Sequence, residues 1–231
     1  MPTNRPPPGS RPTPAPVLRL GVTGHRPNRL AESALPRLRR QIGEVIALLE
    51  SIAGEAQAAH AEAGIAERPA LLRALSALAE GADTLVAEIA LERGAALEAP
   101  LPFAVAEYER DFPAGPPREC FHRLLGRAAR VFPLGGTRER AAEAYEAAGR
   151  LVVERCDVLL AIWDGGPAAG PGGTALIAAY AQELGVPVIW IHATRERPPC
   201  LLASDAEAAR KVMPIEALRG RLLTKLASAA R

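Results

Sequence analysis

Two continuous apolar segments in the second half of the sequence constrain the fold most strongly. Residues 157–163 read Asp-Val-Leu-Leu-Ala-Ile-Trp, and residues 187–191 read Pro-Val-Ile-Trp-Ile. Strands that are apolar at nearly every position, rather than at alternate positions, are typical of a parallel sheet covered by helices on both faces. Between the two segments lie a glycine-rich stretch and a predicted helix at about 174–184. We therefore predict β-α-β connections in a parallel sheet.

The rest of the sequence repeats this alternation of strand and helix. Further strands are predicted at 17–23, 70–75, within 95–102 and at 129–132, and further helices at 35–52 with an extension towards His60, at 82–93, 118–127 and 138–155. The fold class that we predict is α/β. It is a three-layer, Rossmann-like, doubly wound and mainly parallel sheet with helices on both faces.

Composition divides the sequence into three regions. Residues 1–15 are rich in proline, which favours a disordered or extended tail. Residues 16–193 form the predicted Rossmann-like domain. Residues 194–231 are predicted to be a linker and an amphipathic helix, because apolar residues recur at helical spacing at Ile215, Leu218, Leu222 and Leu226. This helix would dock on the core or on a second subunit, so a homodimer formed through helices stays an open alternative.

Composition also disfavours several classes of protein. The sequence has 28 basic and 26 acidic residues and only 4% aromatic residues. It therefore lacks the broad basic surface and the stacking platforms of nucleic-acid-binding proteins, and nucleic acid is disfavoured as a partner. No apolar run reaches the roughly 18–20 residues of a membrane span, and neither the histidines nor the three cysteines have metal-ligand spacing. We expect a cytoplasmic protein without a membrane segment, a metal site or a cofactor.

Three predicted strands end in loops with glycine and polar side chains, at the sheet edge where open parallel sheets bind ligands. The first loop, 21–27, contains Gly21, Thr23, Gly24, His25 and Arg26. Gly24 permits a tight turn close to a ligand. Thr23 offers a hydroxyl group, and Arg26 offers a planar guanidinium suited to phosphate. The alternative is a turn with a surface arginine and a capping histidine.

The second loop, 76–83, contains Ser76, Glu80, Gly81 and Asp83. Asp83 would lie in the first turn of the following helix, where a carboxylate is favourable. A capping role is therefore the alternative to ligand binding or catalysis for Asp83. Capping gives no reason for Glu80, which we keep as a candidate acid or base.

The third loop, 164–174, contains Asp164, Gly165, Gly172, Gly173 and Thr174. A carboxylate at a strand end accepts hydrogen bonds from ribose hydroxyls, or acts as an acid or base if burial raises its pKa. The backbone amides and the hydroxyl at 172–174 open a helix and suit a phosphate group. The alternative for Asp164 is a residue that only begins a turn.

Aromatic residues near these loops are the remaining candidates. Residues 101–112 follow the third strand and are predicted to be an exit loop that could form a lid, with Tyr108 as its ligand contact. Trp163 and Trp190 are predicted to pack on the sheet, and contact with the ligand is the alternative for Trp163, which adjoins Asp164.

The three loops resemble motifs of the SLOG superfamily, which includes DNA-processing protein A and the Lonely Guy phosphoribohydrolases. The sequence Gly24-His25-Arg26 is similar to the Gly-x-Arg of the DNA-processing proteins, and residues 76–83 resemble their Ser-Gly-x-Ala-x-Gly-x-Asp turn, with Ala77 in place of a glycine. Residues 170–174 resemble the Pro-Gly-Gly-x-Gly-Thr loop of the Lonely Guy group in a shortened form. The resemblance covers about 17–192 and implies a nucleotide-type ligand bound across the loops.

The sequence departs from the Lonely Guy motif at one functional position. That motif continues into a glutamate that serves glycosidic cleavage, whereas Thr174 is followed by Ala-Leu-Ile-Ala-Ala. Loss of a positioned acid or base forfeits a factor of about 10²–10⁴ in rate. The resemblance therefore favours binding over hydrolysis. The residues after Asp164 are also similar to nucleoside deoxyribosyltransferases.

Three hypotheses follow. The first is a nucleotide-binding protein in which Arg26 and residues 172–174 hold phosphate, Asp164 holds ribose and the 76–83 turn closes the site. The second is an enzyme that acts on a nucleotide N-glycosidic bond, with Glu80, Asp83 or Asp164 as acid, base or nucleophile. The third, which the small basic surplus disfavours, is a protein that binds single-stranded DNA.

Overall fold

The fold is taken from a computed structural model and is described for residues 15–61, 71–168, 170–202 and 212–229. The predicted tail at 1–15 lies outside these residues except for Ala15. The first residue of the predicted second strand, and residues 203–211 of the predicted linker, also lie outside them.

Eight strands form one sheet. They are β1 (Leu18–Gly24), β2 (Leu72–Leu75), β3 (Ala96–Leu101), β4 (Arg130–Pro133), β5 (Val158–Trp163), β6 (Val188–His192), β7 (Cys200–Leu202) and β8 (Val212–Pro214). Their order across the sheet is β4-β3-β2-β1-β5-β6-β7-β8, and the first six are parallel. The doubly wound, mainly parallel α/β fold predicted from the continuous apolar strands is confirmed.

Seven helices cover the sheet. They are α1 (Leu35–Ala61), α2 (Ala82–Glu92), α3 (Val105–Tyr108), α4 (Pro116–Arg127), α5 (Ala141–Arg155), α6 (Thr174–Glu183) and α7 (Leu218–Ala229). Helices α1, α2, α4 and α7 pack into one apolar core, and α5 and α6 pack against a second apolar cluster. The strands at the centre of the sheet are mostly buried and every residue of β5 is buried, whereas the edge strand β4 is exposed at both ends. None of the described helices is both long and apolar enough to cross a bilayer.

The C-terminal region contributes more to the fold than a linker would. Strands β7 and β8 pair antiparallel at the edge of the sheet, which extends it beyond β6. Each has only three residues, too few to leave an alternation pattern in the sequence. The predicted amphipathic helix is present as α7, and its buried residues Leu218, Leu222 and Leu226 join the core of the same chain. A homodimer through helices stays a prediction.

The segment predicted to be a lid is part of the core instead. Residues 101–112 contain the short helix α3 rather than only a loop. The rings of Phe103, Tyr108, Phe112 and Phe121 pack together, with Phe112 and Phe121 stacked at 4.3 Å between centroids. Because these rings are almost fully buried, burial of aromatic surface holds the segment against α4. The lid prediction was therefore wrong.

The strand order places the first and third loops side by side. Strands β1 and β5 are neighbours although 133 residues, 25–157, lie between them in the sequence, since the chain reverses direction across the sheet between β4 and β5. Thr23 pairs with Ala161 and Gly24 with Ile162. The carboxyl ends of β1 and β5 therefore form the topological switch point, where open α/β sheets bind ligands.

Candidate ligand-binding cleft

A cleft of about 350 Å³ opens at this switch point. Its floor is the end of β1 and the residues that follow, and its walls come from the loops after β2 and β5 and from α5. The site residues predicted from sequence that line it are Thr23, Gly24, His25, Arg26, Asp83, Tyr108, Gly172, Gly173 and Thr174. One side of the cleft, near the start of α2, includes Ala77, Asp83, Pro102 and Tyr108. The other side is formed by the start of α6.

Close contact between two loops fixes the floor of the cleft. A Cβ atom on Gly24 would lie 2.4 Å from the Cβ of Ala82 and 2.8 Å from the carbonyl oxygen of Ile162. Gly81 has φ +110° and lies against the backbone of His25. The amide of Ala82 donates to the carbonyl oxygen of His25 at 3.0 Å. Glycine is required at both positions because backbone and Cβ atoms occupy the space of a side chain.

The two helix N-termini at the cleft differ in their free donors. At α2, the amide of Gly81 donates to the Thr84 hydroxyl at 3.2 Å, and the amide of Thr84 donates to the Ala79 carbonyl at 3.3 Å. At α6, the N-cap is Gly173, which supplies no side-chain cap, and the first helical bond runs from the Leu176 amide to the Gly173 carbonyl. The amides of the first two residues of α6 therefore have no intrahelical acceptor, which makes this end the better anion site.

The glycine-rich loop before α6 packs directly on α5. Gly172 has φ +72°, and a Cβ atom there would lie 2.9 Å from the amide nitrogen of Glu146 and 3.2 Å from the Cβ of Tyr145. The ring of Tyr145 also lies beneath Arg26, with 5.8 Å between the guanidinium carbon and the ring centroid. The hydroxyl of Tyr145 donates to Asp111 at 2.6 Å, which fixes the ring. Tyr145 therefore contacts both the α6 loop and Arg26.

Arg26 is a cation of the cleft whose guanidinium lies over the ring of Tyr145. Its side chain is half-buried and lines the cleft. Within the described part of the chain, its guanidinium makes no ion pair or hydrogen bond. The other arginine at the cleft, Arg29, forms an ion pair, with its Nη2 atom 2.8 Å from Oδ2 of Asp164. Since a half-buried guanidinium gains most from a bidentate anion, Arg26 is the better candidate for holding phosphate.

Asp83 is the carboxyl group that faces the cleft. It is 7% exposed, and no other acidic side chain occurs among the described residues that line the cleft. Burial raises its pKa to about 7, while Arg26, the backbone of Ala79 and the hydroxyl of Ser76 oppose the rise. A carboxyl group with this pKa exists in both protonation states near neutral pH, which suits an acid, a base or a donor of a hydrogen bond.

The pKa of Asp164 is shifted in the opposite direction to that of Asp83. Its Oδ1 accepts from the amide of Gly166 at 2.9 Å, and its Oδ2 accepts from Arg29 at 2.8 Å. The Nε2 atom of His25 lies 3.2 Å from Oδ1. Although burial raises the pKa, contacts with Gly166, Arg29 and His25 lower it to about 2. Asp164 is not among the residues that line the cleft, and its bonds instead hold Arg29 and His25 in place.

Five other predicted site residues lie outside the cleft lining. Ser76 is fully buried, and its hydroxyl accepts from the amide of Leu78 at 3.1 Å. Glu80 and Gly81 border a separate depression between α1, α2 and α4. Gly21 faces Cys156, and Gly165 faces the ring of Trp190. These residues shape the loops, and no direct contact with a ligand in the cleft follows from their positions.

Sequence reasoning missed two contributors to the cleft. Tyr145, Ala148 and Gly149 of α5 form part of its wall, and they lie in a helix rather than in a strand-end loop. The signal that could have found them is the pair of small residues at 148–149, because a Cβ atom on Gly149 would lie 2.6 Å from Cδ1 of Ile177 and glycine there lets α5 lie close to α6. Arg29 was missed although it directly follows the first loop. The predicted packing of Trp163 and Trp190 is confirmed, since their rings stack at 4.7 Å.

The fold and the cleft together define an α/β protein of Rossmann-like architecture with a candidate ligand site at the switch point. No family model matches the sequence, and no curated protein matches it. Among solved structures, DNA processing protein A from Streptococcus pneumoniae is similar, with a TM-score of 0.50 and 16% identity over 75% of this chain and 50% of that chain. This chain thus spans about half the length of that protein. The likeness shows that this chain shares the fold of that protein.

Two further solved structures have lower scores. DNA processing protein A from Helicobacter pylori, described for its single-stranded DNA binding mode, gives a TM-score of 0.49 with 16% identity over 92% of this chain and 82% of that chain. The protein TM1055 gives a TM-score of 0.42 with 19% identity over 74% of this chain and 72% of that chain. The comparison of folds rests on the first structure.

Proposed function

We propose that the protein binds a nucleotide or a nucleotide-derived ligand in this cleft, as a sensor or carrier. The observation that carries the proposal is Arg26, a half-buried cation that lines the cleft and whose guanidinium makes no ion pair or hydrogen bond with the described residues. The uncapped start of α6 is in the same cleft. Arginine and free helix amides together favour a phosphate group. The volume of about 350 Å³ lies in the range of small-molecule sites.

The remainder of the ligand would extend from Arg26 towards the side formed by Ala77, Asp83, Pro102 and Tyr108. This side combines a carboxyl group with apolar surface, as sites for sugars and bases do. We therefore assign the hydroxyl or base contact to Asp83 rather than to Asp164, whose oxygens already accept hydrogen bonds. In this proposal Asp164 is a positioning residue that holds His25 and Arg29.

A thermal-shift experiment with nucleoside monophosphates and NAD tests the proposal. We expect at least one of these ligands to raise the melting temperature, and Arg26→Gln to abolish that rise. Arg40→Gln is the matched control, because Arg40 is exposed on α1 and pairs only with Glu44. An undiminished rise with Arg26→Gln would contradict the assigned phosphate site. No rise with any ligand would contradict the proposed function.

A second function, cleavage at a nucleotide N-glycosidic bond, is favoured by one observation. Asp83 combines access to the cleft with a pKa of about 7, which fits an acid that protonates a departing base. Glu80 and Asp164 lie outside the cleft lining, so Asp83 is the candidate acid. Incubation with the same nucleotides, analysed for free base, tests this function. Release that persists in Asp83→Asn would exclude Asp83, and no release would exclude the function for those nucleotides.

Binding of single-stranded DNA stays the weaker alternative. Arg26 and the start of α6 would suit a backbone phosphate as well as a free nucleotide, but the formal net charge is only +2. Retention of an oligonucleotide that falls steeply with added salt, and that Arg26→Gln reduces, would favour this alternative over a small ligand.

A further inference from the structure

Asp83, which is 7% exposed, and Arg26, which is half-buried, both line the cleft. The charged and titratable groups facing Asp83 are Arg26 from the loop after β1 and Tyr108 from α3, and the Ser76 hydroxyl comes from the loop after β2. Burial keeps Tyr108 neutral, because its pKa rises far above the usual range. Burial therefore favours the protonated form of Asp83, and the charge of Arg26 favours the ionised form.

This arrangement links the charge of Asp83 to the binding of an anion. When Asp83 is ionised, it neutralises Arg26 electrostatically, and an anion entering the cleft meets a carboxylate close by. When Asp83 is protonated, the charge of Arg26 is available to the anion. An anion beside Arg26 also disfavours the ionised form of Asp83, since like charges in a desolvated site repel strongly. Each event therefore promotes the other.

We propose that Asp83 determines the specificity of the cleft by taking up a proton when an anionic ligand binds beside Arg26. The proposal rests on the anion site of the proposed function. A protonated carboxyl group donates a hydrogen bond. The ligand part next to Asp83 is therefore a hydrogen-bond acceptor, such as a carbonyl oxygen or a ring nitrogen, and not a second anionic group.

The other titratable groups at the cleft do not give the same effect. Arg29 is paired with Asp164, which stays ionised well below neutral pH because its pKa is about 2. Burial lowers the pKa of His25, although Asp164 opposes this, so His25 is neutral above its ordinary value of about 6.5. Between pH 6.5 and 8.5, Asp83 is thus the group at the cleft that changes its charge.

Calorimetric titration with sulfate tests the proposal on the full chain. Sulfate keeps its charge across this range, whereas a phosphate monoester titrates near pH 6 and would confuse the result. At constant ionic strength, we expect the dissociation constant to rise on the order of 20-fold from pH 6.5 to pH 8.5, because each bound anion requires a protonated Asp83. Titrations at pH 7.5 in two buffers of different ionisation enthalpy should show net proton uptake.

Two variants locate the proton. In Asp83→Asn, which cannot ionise, we expect sulfate affinity to be independent of pH and as high as in the wild type at pH 6.5. Glu80→Gln is the matched control, since Glu80 lies in the same loop but outside the cleft lining, and it should keep the wild-type pH dependence.

The possible failures can be told apart. No sulfate binding to the wild type at any pH would overturn the anion site and with it the phosphate contact of the proposed function. Binding that is independent of pH, without proton uptake, would overturn only the role of Asp83. If Asp83→Asn does not fold, the proton count on the wild type still decides the question.

Discussion

Replacement of Asp83 by asparagine should make the stability of the protein less sensitive to pH. Burial raises the pKa of Asp83 from 3.8 to about 7 in the folded protein. Each unit of pKa difference between the folded and unfolded states corresponds to about 1.4 kcal/mol of stability. Ionisation of Asp83 therefore costs the folded state on the order of 4 kcal/mol at pH 8 relative to pH 4. Asparagine has nearly the same shape and does not ionise, so the variant avoids this cost.

The sign follows from proton binding. Between pH 4 and pH 7 the folded protein keeps a proton on Asp83 that the unfolded chain releases. The contribution of Asp83 to stability is therefore fully present below about pH 4, falls as the pH rises, and is lost above about pH 7. The difference in unfolding free energy, variant minus wild type, should increase over this window and then level off.

Urea unfolding followed by tryptophan fluorescence is the appropriate assay. Trp163 and Trp190 stack in the folded protein, so their emission reports the loss of the core. Measured at pH 5, 6, 7 and 8, the difference between variant and wild type should grow steadily up to pH 7. Other carboxyl groups titrate equally in both proteins and cancel. Two parallel curves, with a constant difference from pH 5 to pH 8, would refute the reasoning about Asp83.

The remaining predictions concern packing and reactivity. Gly24→Ala should destabilise the fold by about 1–3 kcal/mol in urea unfolding, because its Cβ would meet Ala82 and the backbone of Ile162. Gly43→Ala should instead stabilise α1 by up to about 1 kcal/mol, because the space around its Cβ is open. Gly172→Ala, at φ +72° and against the backbone of Glu146, should reduce the ligand-induced thermal shift more than Gly43→Ala does. Burial and Glu88 raise the pKa of Cys120 to about 11, so iodoacetamide at pH 8 should alkylate it on the order of 100-fold more slowly than a free thiol.

The sequence was most informative where one physical requirement dominates. Residues 158–163 must be apolar throughout because helices cover both faces of β5, and this requirement is visible as a continuous run. The glycines that the loops require were recognisable as turn residues from the sequence. In the structure, backbone or Cβ atoms leave no room for a side chain at Gly24, Gly81 and Gly172. The fold and the three loops of the cleft were therefore predictable.

Features that depend on contacts between distant segments were not predictable. The segment at 101–112 follows β3 and carries four charged residues, which favours an exit loop, whereas Tyr108 and Phe112 are buried against Phe121 of α4. Strands β7 and β8 exist because β6 offers an edge for pairing. Tyr145 lines the cleft from helix α5, where the small residues at 148–149 indicate close helix packing but not a ligand site.

The sequence indicates two candidate carboxyl groups for the site, Asp83 and Asp164, but it does not show how their environments differ. Both lie in glycine-containing segments that follow strands, so both were candidates for the same roles. Asp164 accepts hydrogen bonds from Gly166 and Arg29, and its pKa is about 2. Asp83 is desolvated beside one cation, and its pKa is about 7. Two carboxyl groups whose environments give them such different pKa values take different roles. Asp164 keeps a fixed negative charge that orients its neighbours, and Asp83 can exchange a proton with the ligand in the cleft.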